Sequence, residues 1–197
     1  MANQPLNVLA VIGSLRGDST TRVVVNHVAA RFQADGCVVD VLDLGAQALP
    51  FYNPDTVEDQ PAFAALKARV DRADVFILGT PDYHGSASGV LKNFLDHFWH
   101  EFAGKLFATV VASHEKGLTV TDQLRTVARQ CYAWSLPYGV SVAADSDVRE
   151  GRIVSDQLQK RLDMLIRDAR VYGAILAHQR RADLAGSQPG FMARLRE

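Results

Sequence analysis

The chain has 197 residues, 48% apolar and 22% charged, and its 21 basic and 22 acidic residues leave a formal charge of −1. That length suits one domain and that composition a folded core, while the charge balance excludes a protein living on nucleic-acid phosphates or docking through a strongly acidic face. No apolar run approaches a membrane span, the opening Met1-Ala-Asn-Gln-Pro lacks a secretion-signal layout, and Cys37 and Cys131 are too few and too far apart for a disulfide framework, so a cytoplasmic protein is expected.

Leu6 to Ile12 is a nearly all-apolar run ended by Gly13, the pattern of a strand buried on both faces. Val24, Val28 and Phe32 then recur every four residues, predicting a helix stopped near Gly36. Val38 to Leu44 carries Asp40 and Asp43 and reads as an edge strand. Pro61 is placed at the first position of a second helix bearing Phe63, Leu66 and Val70. Val75 to Gly79 is the third strand, and Leu91, Leu95, Phe98 and Phe102 mark the third helix. Leu106 to Ala112 follows as a strand, Val120, Leu124, Val127 and Cys131 as a helix, and Tyr138 to Ala143 as a fifth strand. The last helix is expected from about Ser155 to His178, closing a single domain over residues 1–180, with 181–197 a loose basic tail.

Strands alternating with helices predict an α/β three-layer sandwich: a five-stranded parallel sheet of order 2-1-3-4-5, with the polar second strand at an edge. In that topology ligands sit beyond the carboxyl ends of strands 1 and 3. After strand 1 comes Gly13-Ser14-Leu15-Arg16-Gly17-Asp18-Ser19-Thr20-Thr21. Leu15 occupies the place of a second glycine, which disfavours a dinucleotide clamp, and no P-loop ending is present. The hydroxyls of Ser14, Ser19, Thr20 and Thr21, the Arg16 guanidinium and a helix N-terminus suit a phosphate monoester, although Ser19 or Thr20 reads equally as a plain helix cap. After strand 3, Pro81-Asp82-Tyr83-His84-Gly85-Ser86 combines turn residues with an aromatic, which fits either an ordinary turn or a loop wrapped around a flat heteroaromatic ring.

Gly13-Ser14-Leu15-Arg16-x-x-Ser19, with Pro81-Asp82-Tyr83-His84-Gly85-Ser86 running into Gly89-Val90-Leu91-Lys92-Asn93, resembles the NADPH-dependent FMN reductase family of flavodoxin-like flavoproteins. The resemblance covers roughly residues 5 to 175, and Leu49-Pro50-Phe51-Tyr52-Asn53 is similar to the family's loop after strand 2. It implies non-covalent FMN, hydride from NADPH or NADH, a quinone, azo compound, free flavin or metal oxyanion as acceptor, and a homodimer or homotetramer. By the same resemblance Ser14, Arg16 and Ser19 hold the FMN phosphate, with Thr20 and Thr21 beside them, Thr21 standing where family members usually have Asn. Pro81 to Ser86 line the isoalloxazine, Asp82 replacing the commoner Glu and His84 the commoner Asn. The family's third loop carries a Gly-Gly pair; here it reads Ser113-His114-Glu115-Lys116-Gly117, with one glycine. Lys116 there is a cation near the flavin edge, a partner for a nucleotide phosphate, or a solvated lysine.

Other chemistries fit less well. His97 and His100 lack a third metal ligand at fixed spacing, and Ser113, His114 and Glu115 are adjacent, which precludes a nucleophilic triad. Phe94 and Trp99 lie off the core stripe of the third helix and suggest a subunit interface. No catalytic side chain is expected, because a flavin carries its own reactive atom. An electron carrier or flavin-binding interaction protein without nucleotide turnover is the alternative, disfavoured by the weak net charge.

Overall fold

The computed structural model describes residues 5–114 and 116–196; Glu115 of the third predicted loop and Met1 to Gln4 of the opening segment lie outside them. Strand β1 (Asn7–Ile12) leads into helix α1 (Thr20–Ala34), then β2 (Val38–Asp43), α2 (Phe63–Arg72) and β3 (Val75–Tyr83). The two-residue β4 (Ser86–Ala87) folds back on β3, followed by α3 (Gly89–Asp96), β5 (Leu106–Ala112) and α4 (Leu118–Gln130). Short strands β6 (Trp134–Ser135) and β7 (Val140–Val142) precede a short helix α5 (Ala144–Asp147), the hairpin β8 (Val148–Arg149) to β9 (Arg152–Ile153), and the long α6 (Asp156–Ala185).

The main sheet runs β2-β1-β3-β5, and both β6 and β7 pair in parallel with the free edge of β5. This is the predicted order, with β7 in the place of the predicted fifth strand and β6 an added piece before it, separated by a break. The break falls at Leu136-Pro137, where proline has no N–H to give the ladder. Alternation along β1 divides the interior: Val8, Ala10 and Ile12 pack under α1 and α6, while Leu9 and Val11 face α2, α3 and α4. On the second side Phe76, Phe94, Phe98, Phe102 and Phe107 form an aromatic cluster with centroid spacings from 5.1 to 6.3 Å. Lys105 is buried beneath it. Its Nζ donates to the carbonyls of Val70 and Asp71 at 2.7 and 2.9 Å, satisfying the last turn of α2. Burial lowers its pKa to about 7.

Several expectations need correction. Pro61 lies outside α2, which begins at Phe63 after Ala62. α3 stops at Asp96, and Phe102 is delivered to the core by a 3-10 turn at His100–Phe102. Phe94 is fully buried among the other rings, so it offers no interface surface; of the two residues, Trp99 alone is exposed. β3 continues past Gly79 to Tyr83 because β4 pairs with its end. α6 outruns His178, and the end of the chain is not loose: Met192 is buried, and the Arg196 guanidinium donates to the carbonyls of Asp183, Gly186 and Gln188. No helix among the described residues is long and apolar enough to cross a membrane.

Candidate functional site

Three segments leave the carboxyl ends of β1, β3 and β5 and bound one open cleft. The first gives Ser14, Arg16, Ser19, Thr20 and Thr21, the second Pro81, Asp82 and Tyr83, and the third Ser113 and His114. All of these were singled out in the sequence. Asp18, Ala112 and Ala144 also line the cleft and were not.

The first segment gathers hydroxyls and a guanidinium at the start of a helix. Ser19 is the N-cap of α1, its Oγ accepting the Arg22 N–H, so the bland reading of Ser19 is correct. Capping does not exclude binding, since a hydroxyl that accepts one bond still has a proton to donate. Ser14 Oγ likewise accepts the Arg16 N–H at 3.4 Å. Ser14, Ser19 and Thr21 are all buried at this rim. The first N–H groups of α1 have no acceptor within the helix and carry its positive end.

Arg22, which sequence reasoning missed, braces this segment. Its guanidinium grips Asp43 through Nε and Nη2, each at 2.9 Å, and donates to the carbonyls of Gly17, at 2.8 Å, and Arg16. The mutual bond raises the Arg22 pKa and holds the Asp43 carboxyl below the usual carboxylate range. Asp40 is similarly bound by Arg69 of α2 at 2.8 Å through both carboxylate oxygens. The aspartates of β2 are therefore ion-paired to flanking helices, and two acids on a short strand were the available signal.

The second segment is a hairpin and not a free loop. Asp82 pairs with Ala87 and Tyr83 with Ser86 across a two-residue turn of His84 and Gly85, both at positive φ, +58° and +77°. This is the turn geometry that suits the strand twist and favours Asn-Gly. Asp82 closes it, one carboxylate oxygen accepting the Gly85 N–H at 2.8 Å while the other accepts the Ser113 hydroxyl at 3.0 Å. Ser86 and the Ala87 N–H both donate to Gln123 of α4. His84, Gly85 and Ser86 thus shape the hairpin from outside the cleft.

The three segments are also tied to one another. Ser88, the N-cap of α3, donates its hydroxyl to the Gly13 carbonyl at 2.6 Å, and its N–H goes to Thr80 Oγ1. Gly13 has no room for a side chain, a Cβ there falling 2.7 Å from the Gly79 carbonyl oxygen. In the third segment Gly117 adopts φ +59°, and a Cβ would sit 2.8 Å from Val111 Cγ1, so this single glycine is fixed by packing. Neither Gly117 nor Lys116 lines the cleft; Lys116 belongs to a separate one.

A family model described as NADPH-dependent FMN reductase matches residues 6–147. The NADPH azoreductase of Bacillus sp. (strain OY1-2) is 30% identical over 155 residues, 77% of this chain and 84% of that protein. The FMN-dependent NADPH-azoreductase of Staphylococcus haemolyticus (strain JCSC1435) is 27% identical over 171 residues, 80% and 90% of the two chains. Among solved structures, an NADH:FMN oxidoreductase in its apo form superposes with TM-score 0.68 at 22% identity, covering 85% of this chain and 89% of that one. A flavodoxin of Streptococcus pneumoniae gives 0.60 at 17%, covering 84% and 99%. At such identities the structural likeness speaks for the flavodoxin-like fold.

Proposed function

Because this chain belongs to the NADPH-dependent FMN reductase family, we propose that the cleft bounded by its three segments is the FMN site and that azo compounds, quinones, free flavins or metal oxyanions are its acceptors. The activity is that of an FMN-dependent NAD(P)H oxidoreductase with a small-molecule electron acceptor. FMN, when bound, supplies the centre that takes hydride from the nucleotide and passes reducing equivalents on. The protein's share is binding, orientation and field.

The donor set fits that group. Ser14, Ser19 and Thr21 present hydroxyls at the start of α1, where the free N–H groups and the Arg16 guanidinium complement a phosphate dianion. Pro81 to Tyr83 supply a rigid strand end along which a flat ring can lie, with the exposed Tyr83 ring at its margin. The Asp82 carboxylate, which also lines the cleft, is engaged by the Gly85 N–H and the Ser113 hydroxyl, with Ser113 and His114 beside it. No side chain is assigned a proton-transfer step. The cleft is open, so nucleotide and acceptor enter the same space in turn.

The convergence of an anion-binding helix start with a hairpin edge at the sheet's crossover carries this reading. Arg16→Ala is expected to weaken FMN binding on the order of tenfold, as loss of a charge-assisted contact does. Quenching of flavin fluorescence on titration measures it, and an unchanged affinity removes the phosphate assignment. Protein that elutes colourless from gel filtration after mixing with FMN ends the whole reading. The proposal includes a cytoplasmic homodimer or homotetramer; a monomer in sedimentation at micromolar concentration contradicts that part.

A further inference from the structure

Beside the proposed flavin cleft lies a second, larger one, lined by chain neighbours of residues in the first. Ala144 lines the first cleft and Ala143 the second; Ser113 and His114 line the first and Lys116 the second.

The chemistry of the second cleft is mixed. Leu118, Pro137 and the Tyr138 ring give it an apolar side, and the ring is held by a 2.8 Å bond from its hydroxyl to Asp168. The cations Lys116, Arg125 and Arg161 line the same cleft. Arg125 is already engaged, by the Pro137 carbonyl at 2.8 Å and by Asp122 at 3.4 Å. Asp147, the other acid of the cleft, accepts the Ala143 N–H at 2.9 Å. Lys116 and Arg161 make no ion pair among the described residues. The start of α4 lies at the same place and adds its positive end.

Apolar side chains and a ring in one cleft with two cations that make no ion pair among the described residues suit a purine nucleoside carrying a phosphate. We propose that this second cleft receives the adenosine 2′-phosphate end of NADPH while the nicotinamide end occupies the first, so that Lys116 and Arg161 set the preference for NADPH over NADH. The inference rests on the flavin cleft assigned above. NADH presents a ribose hydroxyl in place of the phosphate and leaves both cations unanswered.

The test uses the FMN-loaded protein and 2′,5′-ADP, which carries the phosphate but no nicotinamide, with 5′-AMP as the comparison. Calorimetry is expected to show 2′,5′-ADP binding with FMN retained and 5′-AMP binding at least tenfold more weakly. Arg161→Gln should weaken 2′,5′-ADP on the order of tenfold and raise KM for NADPH alike, with KM for NADH within about twofold. Lys116→Gln, read by 2′,5′-ADP binding alone, keeps the test independent of how well the first variant folds. Equal affinity for the two nucleotides, release of FMN by 2′,5′-ADP, or equal KM changes for NADPH and NADH overturns the proposal. Wild-type protein that holds no FMN overturns the flavin reading instead, and 2′,5′-ADP titrated into that protein still reports on the second cleft.

Discussion

Gly79 sits in β3 where α1 crosses the sheet, and a Cβ there would lie 2.2 Å from Val25 Cγ2 and 3.1 Å from Thr21 Cγ2. Neither neighbour can retreat without moving the helix that carries Ser19 and Thr21. Gly79→Ala is therefore expected to destabilise the fold by about 1–3 kcal/mol, the usual range for overpacking. It should also loosen FMN, because the anion-binding rim moves with α1. Urea denaturation and flavin titration measure the two effects, and an unshifted midpoint contradicts the packing argument. In the sequence Gly79 read as the end of a strand, since glycine before Thr-Pro is an ordinary breaker signal. Its function as a contact point depends on a helix some 55 residues earlier in the chain, which no local pattern reveals. Of the two readings open for His84 and Gly85, an ordinary turn or a loop around a ring, the backbone shows the turn, whereas a partner strand of two residues is too short to show alternation.

At the scale of elements, buried Lys105 joins the start of β5 to the end of α2. Its folded pKa of about 7 against 10.5 when exposed sets a direction for stability. Between those values the unfolded chain binds the extra proton, so this group makes stability rise as pH increases from about 7 to 10.5 and gives no slope below that window. Lys105→Met lacks the group. Denaturation midpoints of the two proteins from pH 7 to 10 should diverge, with wild type gaining on the variant; a constant difference means the ammonium is not perturbed. Apolar periodicity made the helices legible, and the acids of β2 marked the edge. Periodicity failed at the end of α3, because Phe98 and Phe102 keep helical spacing while the backbone has already left the helix. The same limit made Phe94 look like surface: a stripe assumes one buried side, and this helix has more.

For the molecule as a whole, the order of the sheet was readable because alternating strands and helices leave few topologies. The chain end was not, because Gly, Pro and Arg read alike in a free tail and in a segment folded back on a helix. Met192 packs beside Gly104, at the end of the sheet remote from the cleft. Met192→Ala should accordingly cost about 2 kcal/mol of stability while FMN affinity stays unchanged. A melting curve and a flavin titration decide it, and a parallel loss of flavin affinity would tie the chain end to the site. The brace on the first segment has one more consequence. In a planar trans peptide the carbonyl and the following amide hydrogen point in opposite directions. Arg22 holds the carbonyls of Arg16 and Gly17 toward its guanidinium, and so turns the amides of Gly17 and Asp18 away from it. Folding alone thereby sorts the polarity of the segment, so that a ligand held by those amides would find little backbone left to immobilise.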